Sequence, residues 1–126
     1  MAITYNVRQV RGITVVDLGG KIVLGETIAT GSGNGVTLHE FIRDLLKAGH
    51  KNILLNFRDV SYMDSSGIGQ LFGCHTTVTG QGGALKLTSP NERVANLLHL
   101  TRLYSVFDVS EDEATAIQRW VQAGAA

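Results

Sequence analysis

The sequence predicts an α/β domain: a mixed, mostly parallel sheet of about five strands with four helices, opened by an N-terminal β-hairpin. Three observations carry this. Ile3, Tyr5 and Val7 alternate with polar residues up to Arg11-Gly12, after which ITVVDL begins, so two short strands are joined by a tight turn. NILLNF, residues 52–57, is almost wholly apolar, the pattern of a strand covered on both faces. Helical and strand patterns alternate from there on, which implies a parallel sheet.

Each later element has its own signal. LGETIATGSGNG, from Leu24, carries Gly25, Gly31, Gly33 and Gly35, too dense for a packed element, and predicts a flexible loop at about 24–36. Thr37 with Glu40 three residues on forms a capping box, Leu38, Phe41, Ile42 and Leu45 share a face, and Gly49 stops the helix. After the DSSG turn, Ile68, Leu71, Phe72, His75 and Val78 recur at helical spacing until Gly80. Gly82-Gly83 lead into the strand ALKL. Ser89 then reads as a cap, with Pro90 at the first helical position and Glu92 at the third; Val94, Leu97 and Leu98 face inward. Residues 104–109 read as a last strand. SEDE, residues 110–113, opens a final helix with acids at the positive end of its dipole and Ile117, Trp120 and Val121 facing in.

The chain has 126 residues, one domain over 1–126, long enough to bury about two-thirds of its unfolded surface. Lys plus Arg and Asp plus Glu number 11 each, so no net field draws nucleic acid or anionic lipid. Cys74 is alone, which rules out an internal disulfide and suits a reducing compartment. MAITYNVRQVRG has neither the apolar core nor the cleavage site of a signal peptide, and no stretch is apolar enough to span a membrane. A cytoplasmic protein is expected.

The chemistry concentrates in YMDSSGIGQLFG, residues 62–73, where a strand hands over to a helix. As an N-cap, the Ser65 hydroxyl would accept from a backbone N–H one turn in, typically worth ~1 kcal/mol. That reading leaves Asp64, itself a good cap, unexplained. It also leaves Gly67, Gly69 and Gly73, each costing about 0.8–1 kcal/mol against Ala in a helix interior. Gly69 and Gly73 share one face, beside Gln70, Thr76 and Thr77. Either another protein lies against that smooth face or a neighbouring element of the same chain does; both readings stay open.

DVSYMDSSGIG, with NILLNF before it and GGALKL behind, resembles the STAS domain of bacterial anti-sigma factor antagonists from Ile13 to Phe107. The resemblance implies a STAS-like single domain and a regulator of sigma-factor-dependent transcription that is not an enzyme. It implies phosphorylation of Ser65, with Ser66 as second choice, by a partner that is both anti-sigma factor and serine kinase. The unphosphorylated protein would bind that partner and the phosphorylated one release it, with a serine phosphatase restoring the binding form. Asp64, Ser65, Ser66, Gly67, Gly69, Gln70 and Gly73 would face the partner. The connection GGKIVLGETIATGSGNGVTLHE, longer and richer in glycine, departs from the family pattern.

Other chemistries fit less well. The Gly31–Gly35 run lacks the Lys and Ser/Thr of a P-loop and is not G-x-G-x-x-G. Ser65, Asp64 and the four histidines supply the residue types of nucleophilic hydrolysis, but the turn is not G-x-S-x-G, residues 58–64 separate strand from serine, and His75 lies on the helix's inner face. No histidine has metal-type spacing with another or with Cys74, so neither metal nor cofactor is expected. A scaffold, or the accessory subunit of a transporter or signalling assembly, would use the same fold without a phosphorylated serine. Self-association as a homodimer is left open.

Overall fold

The structure, a computed structural model, describes residues 3–29 and 35–124. Strands β1 (Thr4–Val10) and β2 (Ile13–Ile22) form the antiparallel hairpin. Helix α1 (Leu38–Lys47) leads to β3 (Asn52–Met63), parallel to β2, and α2 (Ser65–Gly80) leads to β4 (Ala84–Thr88), parallel to β3. Helices α3 (Glu92–Leu100) and α4 (Glu113–Gln122) follow. The sheet order is β1-β2-β3-β4.

The two faces of the sheet are read directly from the period of two along its strands. Val16 and Leu18 of β2 and Ile53, Leu55 and Phe57 of β3 point into the larger core, with Leu38, Phe41, Ile42, Leu71, Cys74, Val78, Val94 and Leu98 of α1, α2 and α3. The intervening Ile13, Val15 and Leu54 point the other way and pack on Ala116, Ile117 and Trp120 of α4. The fold is therefore three-layered, with α4, among the described residues, the one helix on the reverse face. An ion-pair cluster holds it there: Arg8 reaches Asp17 at 2.8 Å and also pairs with Glu113. The Arg8 guanidinium holds the Asp17 carboxyl down at about 2, helped by amide donors from Asn56 and Asn6.

Among the described residues four strands form where the sequence predicts about five. Residues 104–109 run as turns, because Arg102 and Asp108 take positive φ and the segment bends to bury Phe107. It still covers the edge of β4: Leu87 N–H donates to the Phe107 carbonyl, Ser110 N–H to Leu87 and Ser89 N–H to Ser110. The α3 cap is Asn91, which accepts from Val94 N–H, and Ser89 takes φ +62° instead of capping. Within the predicted loop, Ile28 is fully buried and bridges Ile3 and Val36; Gly31 and Gly33 lie outside the described residues.

Candidate functional site

Strand β3 runs on to Met63, so a single residue, Asp64, links it to α2. The connection is tighter than the 58–64 spacer read from the sequence. Asp64 is also the N-cap, in place of Ser65: its Oδ1 accepts from Gly67 N–H at 2.9 Å. Its Oδ2 accepts from Leu24 N–H at 3.1 Å, across from the end of β2. These bonds, Gly67 first and Leu24 second, hold the carboxyl below the usual carboxylate range, so it is ionised at neutral pH. With Asp64 as cap, Ser65 becomes the first helical residue, and its side chain is exposed.

The candidate residues separate into two groups. Asp64, Ser65, Ser66 and Gly69 are at least partly exposed, and around a Cβ on Gly69 there would be open space. Gly67 is buried, packed on the Ile22 carbonyl and Met63. Gln70 Oε1 accepts from Leu38 N–H at 3.0 Å, fixing the start of α1 against α2. Gly73 faces the ring of His39, whose Nε2 lies 2.8 Å from Thr77 Oγ1. The two glycines of this face therefore differ: Gly73 lies beside His39 of α1 at ordinary contact distance, whereas Gly69 looks outward.

Two surface residues escape the sequence reading. The apolar spacing groups Phe72 with Leu71 on the inner face, yet Phe72 is 49% exposed, one turn beyond Gly69. Leu24 is 79% exposed and tied through its backbone to Asp64. A helical wheel anchored on the buried Leu71, Cys74 and Val78 places Phe72 outside; nothing local marks Leu24. Along one side of α2, then, an exposed hydroxyl, an open glycine and an exposed aromatic ring follow one another at helical spacing.

The histidines are engaged elsewhere: His39 with Thr77, His50 with Thr14, His75 edge-on to Phe107 and His99 stacked on Tyr104. Cys74 is fully buried, and burial pushes its thiol up to about 12. Among the described residues no group of three or more His, Cys, Asp or Glu is placed to hold a metal ion. None of their helices is long and apolar enough to cross a membrane.

Comparison with known proteins places these features in context. Residues 4–116 match the family model for the STAS domain. Over 61 residues the chain is 41% identical to the anti-sigma-B factor antagonist of Bacillus subtilis (strain 168), covering 48% of this chain and 56% of that protein. The chain thus spans little more than half the length of that curated relative. Among solved structures it is similar to an anti-sigma factor antagonist from Mycobacterium paratuberculosis, with a TM-score of 0.74 and 18% identity over 94% of this chain and 93% of that one. It is also similar to a sulfate transporter family protein from Wolinella succinogenes, with a TM-score of 0.67 and 14% identity over 89% and 87%. At these identities the structural likeness is one of fold.

Proposed function

This chain belongs to the STAS domain family, and from that premise we propose that it is an anti-sigma factor antagonist, a docking module and not an enzyme. In this reading unphosphorylated protein binds an anti-sigma factor with serine kinase activity and so frees a sigma factor in the cytoplasm. The kinase moves the γ-phosphoryl group of ATP to Ser65 Oγ, forming the O–P bond and releasing ADP and the hydroxyl proton. A serine phosphatase reverses the modification by hydrolysis. The carrying observation is the exposed Ser65 side chain at the first position of α2, on the side where Gly69 is open and Phe72 exposed. The 41% identity to an anti-sigma-B factor antagonist supports it.

The electrostatics supply the switch. Phosphate adds ≈ −1.5 to −2 charges at pH 7. Against an acid of the partner ~5 Å away, each unit costs on the order of 3 kcal/mol at an effective dielectric near 20. A loss of ~3–4 kcal/mol is a hundredfold to a thousandfold in affinity. The helix N-terminus lessens the effect on the fold itself, so the complex should be lost while the domain survives.

The test is incubation with candidate anti-sigma kinases and ATP, followed by intact mass and site mapping. One phosphate at Ser65, absent in Ser65→Ala, is expected. Ser65→Asp should weaken partner binding with a Tm within about 5 °C of wild type; a collapsed fold would refute the switch. Phosphate on Ser65→Ala at the wild-type rate would move the site to Ser66. A transporter or assembly scaffold needs the fold and the docking helix but not the hydroxyl, so unchanged partner binding by Ser65→Asp would favour that reading.

A further inference from the structure

The Asp64 carboxylate does two jobs with two oxygens. Oδ1 caps α2 on Gly67 N–H, 2.9 Å away. Oδ2 holds Leu24 N–H, 3.1 Å away and 40 residues earlier in the chain. Leu24 is the second residue of the segment between β2 and the buried Ile28. After it, Gly25 takes φ +86° and Glu26 N–H closes a turn on the Val23 carbonyl. The next backbone anchor is Ile3 N–H on the Thr27 carbonyl. Between these points, Leu24 is 79% exposed and held at the start of α2 by its bond to a side chain that precedes Ser65.

We propose that Asp64 is a latch that phosphate at Ser65 opens, a regulation that rests on the reading of Ser65 as the modified residue. A phosphate there adds a dianion beside a carboxylate that already occupies the helix end. The two like charges cannot share the same N–H groups at full strength. The cap bond is retained, because Gly67 is immobilised against Ile22 and its N–H points along the helix axis. The Leu24 bond yields, because the backbone on its far side is an exposed turn. Phosphorylation therefore acts twice on one surface. It places charge at Ser65, and it frees the Leu24 N–H from Asp64, so that the exposed Leu24 is no longer held at the start of α2.

Hydrogen exchange of individual backbone amides, followed by NMR on the full chain, tests the latch without any partner. Phosphoserine is installed at position 65 during translation with a suppressor tRNA, so no kinase is required. The second protein is Asp64→Asn, in which one amide oxygen can cap Gly67 while the NH2 group offers Leu24 no acceptor. Both proteins should exchange the Leu24 amide at least about tenfold faster than wild type, with Gly67 protection unchanged. Leu24 protection equal to wild type or greater in the phosphoserine protein overturns the proposal, since the phosphate would then have taken the N–H itself. So does an Asp64→Asn protein that keeps Leu24 protected and loses Gly67 protection. Failure of every kinase to modify Ser65 would instead count against the function proposed above and leave this measurement standing.

Discussion

Gly67 of α2 lies so close to Ile22 of β2 that a Cβ on the glycine would run into the isoleucine's carbonyl oxygen, with Met63 Cγ 2.6 Å away on another side. The obstructing atom is backbone, held in a strand, and cannot swing aside. Gly67→Ala must therefore push the start of α2 away from the end of β2. A destabilisation of about 3 kcal/mol, the upper range for overpacking, is expected from denaturant midpoints. An unchanged midpoint would show that α2 can shift freely.

Gly69, two residues on, gives the opposite result. A Cβ there meets nothing within 4 Å, so Ala brings only helix propensity and a smaller entropy loss on folding. Gly69→Ala should stabilise the domain by about 0.5–1 kcal/mol. If the exposed side of α2 docks a partner, the same variant should bind more weakly while melting higher. A variant that is both more stable and equally well bound would take Gly69 out of the interface.

Local signals in the sequence are legible where their partners are also local. The Thr37–Glu40 capping box is present in both directions, and Gly49 stops α1 at φ +99°. Where two competent caps lie within a few residues, long-range bonds choose between them. Asp64 prevails over Ser65 while also receiving Leu24 N–H. Asn91 prevails over Ser89 because its amide also donates to the Val60 and Ser61 carbonyls of β3. Strand lengths exceed what the sequence suggests for a similar reason. Gly19-Gly20 and Arg58-Asp59 look like breaks, yet the β2–β3 ladder crosses them by shifting register. Ser65 is legible as a candidate because its neighbours are consecutive in sequence, whereas Leu24 joins the site only through a backbone N–H.

Asp17 should set part of the acid limit of stability. Its folded-state pKa is depressed to about 2 from 3.8, first by the Arg8 hydrogen bond. The unfolded chain binds the proton more tightly, so the contribution is complete above the unfolded value and disappears as pH falls toward 2. For this partly exposed group, solvent screening reduces it to roughly 1 kcal/mol. Asp17→Asn should be less stable than wild type at pH 7, and the difference should close between about pH 4 and pH 2. A gap as large at pH 2 as at pH 7 would assign the loss to packing.

Trp120 is fully buried, and its indole Nε1 has no hydrogen-bond acceptor among the described residues. An unpaired buried donor costs about 1–3 kcal/mol, which offsets part of what the ring gains by packing on β2 and β3 and beneath the Lys86 ammonium. Trp120→Phe should therefore change stability by less than about 1.5 kcal/mol, whereas Trp120→Ala should cost about 3–5 kcal/mol. Thermal melts of the two variants separate these cases. Equal losses would mean that the indole N–H carries no penalty.

Strand order in the sheet repeats strand order in the chain. During synthesis each new strand meets a neighbour that has already left the ribosome. The reverse face has a different history, because its cover, α4, is made after every strand. Until then Ile13, Val15 and Leu54 stay wetted on a nascent chain, and that interval is when a chaperone would find something to hold.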